Sequence, residues 1–163
     1  MATGSVSALD QDTWQLIQTN ATTSGTTSTF SNLSGYKKYL VTWEGVGRSG
    51  GGGVVSLKFN SSSSNYFGGV VAAYNGDVGQ NTNFSEIRCT LNGVTGAMQG
   101  FYLIENTNSG APVKTVKGEV TDGNGNYIQE TRAGWINTDE ITSIVFSSAA
   151  FNAGSMKLYG IAG

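Results

Sequence analysis

Apolar and polar residues alternate with a period of two along most of this chain, as they do in strands with one buried face. In the segment 36–46, Tyr39, Val41 and Trp43 fall on one side, with Lys38, Thr42 and Glu44 on the other. Val55, Leu57 and Phe59 alternate with Ser56 and Lys58. Ile87, Cys89 and Leu91 likewise alternate with Glu86, Arg88 and Thr90. Segments 100–105, 113–120, 127–135, 141–147 and 156–161 read as further strands between Asn/Gly-rich turns. Near the start, 14–19 and 26–30 flank the Thr/Ser-rich 20–25 and predict a hairpin. No window combines strong caps with a 3.6-residue period, so long helices are not expected. About ten short strands at this spacing predict an all-β fold, a two-sheet antiparallel sandwich of jelly-roll-like form. Closing two sheets face to face buries both inward sets of side chains.

Composition narrows the picture. A chain of 163 residues suits one domain with a real core. Residues 1–12 are small, polar and aperiodic and are read as an N-terminal arm, leaving 13–163 as a single sandwich domain. Only 12% of residues are charged, whereas disordered chains pair low hydrophobicity with high charge. The 24 glycines, about twice the usual share, suit tight turns between strands. Net charge is −2 and the largest basic cluster is Lys37 with Lys38. Counterion release then gives little affinity for nucleic acid, and no such partner is expected. The apolar runs are too short to span a bilayer, so no membrane insertion is expected. The start of the chain has neither a basic segment nor an apolar core, so no signal peptide is visible and synthesis in the cytoplasm is expected.

Candidate chemistry is sparse. The absence of histidine removes Ser-His-Asp and Cys-His machinery and imidazole-bound zinc. The single cysteine, Cys89, forbids an internal disulfide and reads as a small buried hydrophobe. Glu44, Glu86, Glu105, Glu119, Glu130, Asp139 and Glu140 sit on predicted outward faces or loops. Asp122-Gly-Asn-Gly-Asn126 is similar to the opening of a calcium loop, but it lacks the closing Glu and the flanking helices. A hairpin turn with positive φ at Gly123 and Gly125 explains the same letters. Neither a catalytic residue nor a metal ligand nor a cofactor is expected. What remains is binding: Tyr66, Phe67, Tyr74 and Tyr127 stand beside Gly, Asn and Ser in predicted turns. Aromatic faces ringed by amides and hydroxyls hold sugars, so these four are the candidate glycan contacts.

Three stretches, taken together, resemble a known group. They are Thr29-Phe-Ser-Asn-Leu-Ser-Gly-Tyr-Lys-Lys-Tyr-Leu-Val-Thr-Trp43; Leu57-Lys-Phe-Asn60 with Asn65-Tyr66; and Ile141-Thr-Ser-Ile-Val-Phe146 with Phe151-Asn-Ala-Gly-Ser-Met-Lys-Leu-Tyr-Gly-Ile161. This order resembles bacteriophage virion proteins with a jelly-roll-like domain, the capsid decoration (cement) and tail-fibre domain group. The match runs from Trp14 to Ile161. Relatives often carry Gly and Asp in the loop that is Ser61 to Ser64 here, so no acidic or metal-dependent role carries over. The resemblance implies a structural component of the virion. A chain that starts at Met1 and stops just after the closing strand is expected to be a free-standing capsid decoration protein rather than part of a fibre. Its implied partners are the major capsid protein and further copies of itself, with a trimer favoured. The arm, through Thr3, Ser5, Leu9, Asp10 and Asp12, would then contact neighbouring subunits. The alternative is a tail-fibre or receptor-binding module that recognises host-surface glycan.

Overall fold

The computed structural model describes residues 13–49, 53–74, 77–82, 85–90, 96–123 and 127–163, without the side chains of 72, 74 and 77–82. Twelve strands appear among them: β1 (Gln15–Ala21), β2 (Thr27–Phe30), β3 (Tyr36–Arg48), β4 (Ser56–Phe59), β5 (Tyr66–Tyr74) and β6 (Asp77–Thr82), followed by β7 (Ile87–Arg88), β8 (Met98–Glu105), β9 (Val113–Thr121), β10 (Tyr127–Ile136), β11 (Ile144–Ser147) and β12 (Phe151–Ala162). One sheet has the order β1-β12-β3-β8-β9-β10-β5-β6 and the other β2-β11-β4-β7. Every pairing is antiparallel.

The topology separates into a core and an extension. The quartets β1-β12-β3-β8 and β2-β11-β4-β7, with the chain passing between them, have the jelly-roll order. Two hairpins, β5–β6 and β9–β10, then add four strands beyond β8 and widen one sheet only. The predicted two-sheet sandwich is therefore present, with a lopsided large sheet.

The alternation reads through to burial. Tyr39 and Val41 from β3, Leu57 and Phe59 from β4, and Met156 and Leu158 from β12 are fully buried. Trp43, Tyr102 and Phe146 meet at centroid distances of 5.4, 5.6 and 6.1 Å, tying β3 and β8 of one sheet to β11 of the other. A second cluster, Phe59, Tyr66 and Trp135, joins β4 to the extension at 5.7 to 6.4 Å. Such pairs contribute about 0.5–1.5 kcal/mol each beyond burial. Cys89 is buried as expected, and burial pushes its thiol pKa upward.

Four local expectations are revised. The hairpin across 20–25 does not form: β1 pairs with β12 and β2 with β11, so this segment carries the chain from one sheet to the other. The Thr22 N–H donates to the Gly154 carbonyl at 2.9 Å and fixes that corner. Where Ile87 and Cys89 alternate with Glu86, Arg88 and Thr90, only Ile87–Arg88 is strand among the described residues 85–90, Leu91 lying outside them, and Thr90 turns inward, its hydroxyl accepting from the Val55 N–H at 2.8 Å. Segment 66–74, whose Gly-Gly-Val-Val-Ala-Ala run hides any period, is a strand rather than a turn. The β9–β10 hairpin forms, closed by the Tyr127 N–H on the Asp122 carboxylate at 3.1 Å, yet Gly123 lacks the predicted positive φ.

The Phe-Asn and Asn-Tyr pairs prove to be a structural clasp. The Tyr66 hydroxyl accepts from the Phe59 N–H at 2.8 Å and so closes the loop between them. Asn60 takes φ 49°, a left-handed conformation that asparagine tolerates well. Its side-chain oxygen accepts from the N–H groups of Thr142 and Ser143 at 2.8 and 3.1 Å. In the closing motif, Gly154 lies in a bulge of β12 rather than in a turn, at φ 82°. A Cβ added there would sit 2.3 Å from the Gly45 carbonyl.

Candidate binding face on the extended sheet

Strand register places side chains on the outer face of the large sheet in rows. One row runs Leu16, Tyr159, Leu40, Leu103, Lys117 and Arg132 across β1, β12, β3, β8, β9 and β10. The row on one side holds Phe101, Glu119, Glu130 and Val71; the row on the other holds Lys38, Glu105, Thr115, Gly134 and Phe67. The jelly-roll half of the face is thus apolar along its middle row, and charged side chains flank it on both halves, Lys38, Glu44, Glu105 and Lys157 on one and Lys117, Glu119, Glu130 and Arg132 on the other.

Seven large apolar side chains are exposed among the described residues. Six of them, Leu16, Phe67, Val71, Phe101, Ile128 and Ile136, point outward from this sheet by their strand alternation. Leu16 at 56% and Ile128 at 55% exposure are half open to water. Single exposed apolar groups are ordinary, and here six share one face, which makes it the candidate surface for binding.

The charges of the face form local pairs. Glu105 takes Lys38 and Lys117 at 2.9 Å each, and these ammonium groups, Lys117 first, hold its carboxyl below the usual range. Arg132 pairs with Glu130 along β10. Glu119 and Glu130 stand directly opposite each other across β9 and β10, a like-charge pairing that Arg132 offsets. Among the described residues no group of three or more His, Cys, Asp or Glu could hold a metal.

Two adjoining depressions mark the extension. One, of about 140 Å³, is lined by Phe101, Leu103, Glu119 and Glu130; the other, of about 400 Å³, by Phe67, Glu105 and Thr115. Lys117 and Arg132 line both and stand between them, so the two are treated together as one groove crossed by this pair. At one end the Phe67 ring lies across Gly134, where an added Cβ would stand 2.5 Å from the ring's Cζ.

The four aromatic residues singled out from the sequence are scattered by this arrangement. Tyr66 is 2% exposed and committed to the core, since its hydroxyl is needed by the Phe59 backbone. It does not offer its ring to a ligand. Phe67, its neighbour, points outward into the groove. Tyr74 pairs with Tyr127 at the other end of β5, roughly 25 Å away at about 3.3 Å per residue. Tyr127 is half-buried against the core, and the Tyr74 side chain lies outside the described residues. Thr3, Ser5, Leu9, Asp10 and Asp12 also lie outside them.

Phe101, Leu103, Lys117 and Arg132 were not singled out from the sequence. A signal was present: in 100–105 large apolar residues occupy both faces, Tyr102 and Ile104 on one and Phe101 and Leu103 on the other. One core cannot cover both sides of such a strand. No family model matches the chain, and neither a curated protein nor a solved structure matches it.

Proposed function

We propose that this protein is a non-catalytic structural subunit of a bacteriophage particle, a capsid decoration protein that holds to the head shell as an oligomer. The apolar middle row of the jelly-roll half, Leu16, Tyr159, Leu40 and Leu103, supports this reading most strongly. The jelly-roll order and the three sequence stretches that resemble phage virion proteins agree with it. In this reading the row Leu16, Tyr159, Leu40 and Leu103 meets a neighbouring subunit. Several copies, each binding modestly, gain a large joint affinity from being linked. A trimer on the shell, with the major capsid protein as partner, is the proposed assembly.

The test combines light scattering with shell co-sedimentation. The wild-type protein is expected to be an oligomer that sediments with capsids. Leu16→Glu and Leu40→Glu should yield folded monomers that stay in the supernatant. A monomeric wild-type protein that ignores capsids would overturn the proposal.

A further inference from the structure

We propose that the groove across β8, β9, β10 and β5 is a binding site for a neutral oligosaccharide. It spans β8 and the extension beyond it, and it has an aromatic ring at each end. Phe101 on β8 and Phe67 on β5 are three strand spacings and four residues apart, a diagonal of roughly 20 Å. That length fits an extended chain of sugars rather than one ring.

Both rings are suited to stacking. Phe67 is fixed from below by the bare backbone of Gly134 and is 38% exposed; Phe101 is 45% exposed. A ring already held in place loses little freedom when a ligand covers it. The C–H face of a sugar meets such a ring favourably, because the ring face carries partial negative charge.

The charges decide which ligand fits. The groove lining holds two cations, Lys117 and Arg132, and three anions, Glu105, Glu119 and Glu130; Lys38, just outside the lining, is bonded to Glu105 and brings the formal balance to zero. Lys38 and Lys117 are bonded to Glu105, and Arg132 to Glu130. A polyanion would meet the opposed carboxylates of Glu119 and Glu130, and a cationic peptide would meet Lys117 and Arg132. A neutral, hydroxyl-rich chain accepts from the cations, donates to the carboxylates and Thr115, and repels neither.

The test is an array of neutral and anionic oligosaccharides, followed by calorimetry with the neutral hexasaccharide that scores highest. The wild-type protein should bind neutral chains, and Phe67→Ala, Phe101→Ala and Arg132→Ala should each weaken binding about tenfold. Phe67→Tyr keeps the ring and should retain binding, which separates stacking from any effect of Phe67→Ala on folding. Three results would overturn the proposal: no neutral chain bound by folded protein, binding that survives both alanine substitutions of the rings, or preference for anionic chains. Leu103 belongs to both surfaces, but Leu16 and Leu40 lie outside the groove, so their variants separate loss of shell attachment from loss of sugar binding.

Discussion

Replacing Asn60 probes the clasp that joins the end of β4 to the start of β11. Its side-chain oxygen accepts three hydrogen bonds, from Thr142 N, Thr142 Oγ1 and Ser143 N, at 2.8, 3.1 and 3.1 Å. Its Nδ2 donates to the Glu140 carbonyl at 2.7 Å. Asn60→Ala removes all four. At about 1 kcal/mol net per bond, less where water reaches exposed Thr142, the loss is about 3 kcal/mol. Alanine at φ 49° adds about 1 kcal/mol of backbone strain. Asn60→Gly loses the bonds without the strain. The glycine variant should therefore be destabilised less than the alanine variant, by about 3 against about 4 kcal/mol. Urea denaturation at one fixed protein concentration measures it as midpoint shifts at constant slope. For a chain of this size the alanine variant should melt about 10 °C early. Alanine within about 1 kcal/mol of wild type, or glycine less stable than alanine, would refute the clasp.

Other perturbations test the core. Gly154→Ala forces a Cβ to 2.3 Å from the Gly45 carbonyl at a positive φ, and should cost about 3 kcal/mol or more by the same assay. Burial raises the Tyr66 phenol to about 12 and also raises those of Tyr39 and Tyr102. The unfolded chain ionises these groups near pH 10 while the fold holds their protons, so stability falls as pH rises from 10 to about 12. Tyr66 alone accounts for about 3 kcal/mol of that loss, and phenolate absorbance followed with circular dichroism should show the late ionisation coinciding with unfolding. Phenolate formation by all seven tyrosines near pH 10 with the fold intact would contradict this. Cys89, buried and held protonated, should react with a thiol reagent only at the rate of unfolding. Fast labelling of folded protein would count against its placement.

Period-two alternation determined the fold class, because a strand with one buried face writes its two faces directly into the sequence. Tyr39, Val41 and Trp43, or Leu57 and Phe59, needed no partner to be named as core. Sheet membership was not legible in the same way. Whether β1 and β2 form a hairpin or part to different sheets depends on β12 and β11, which lie more than a hundred residues further along the chain. Segment 66–74 stayed hidden because glycine and alanine carry no period, although its neighbours β10 and β6 make it a strand. The clasp letters Asn60 and Tyr66 could be seen, but their bonds to residues 142–143 and to Phe59 required the fold. The binding face was decided by tertiary structure almost entirely. Alternation says that Lys117 and Arg132 point away from the core, while strand order and register turn Phe101 and Phe67 outward and make the four neighbours.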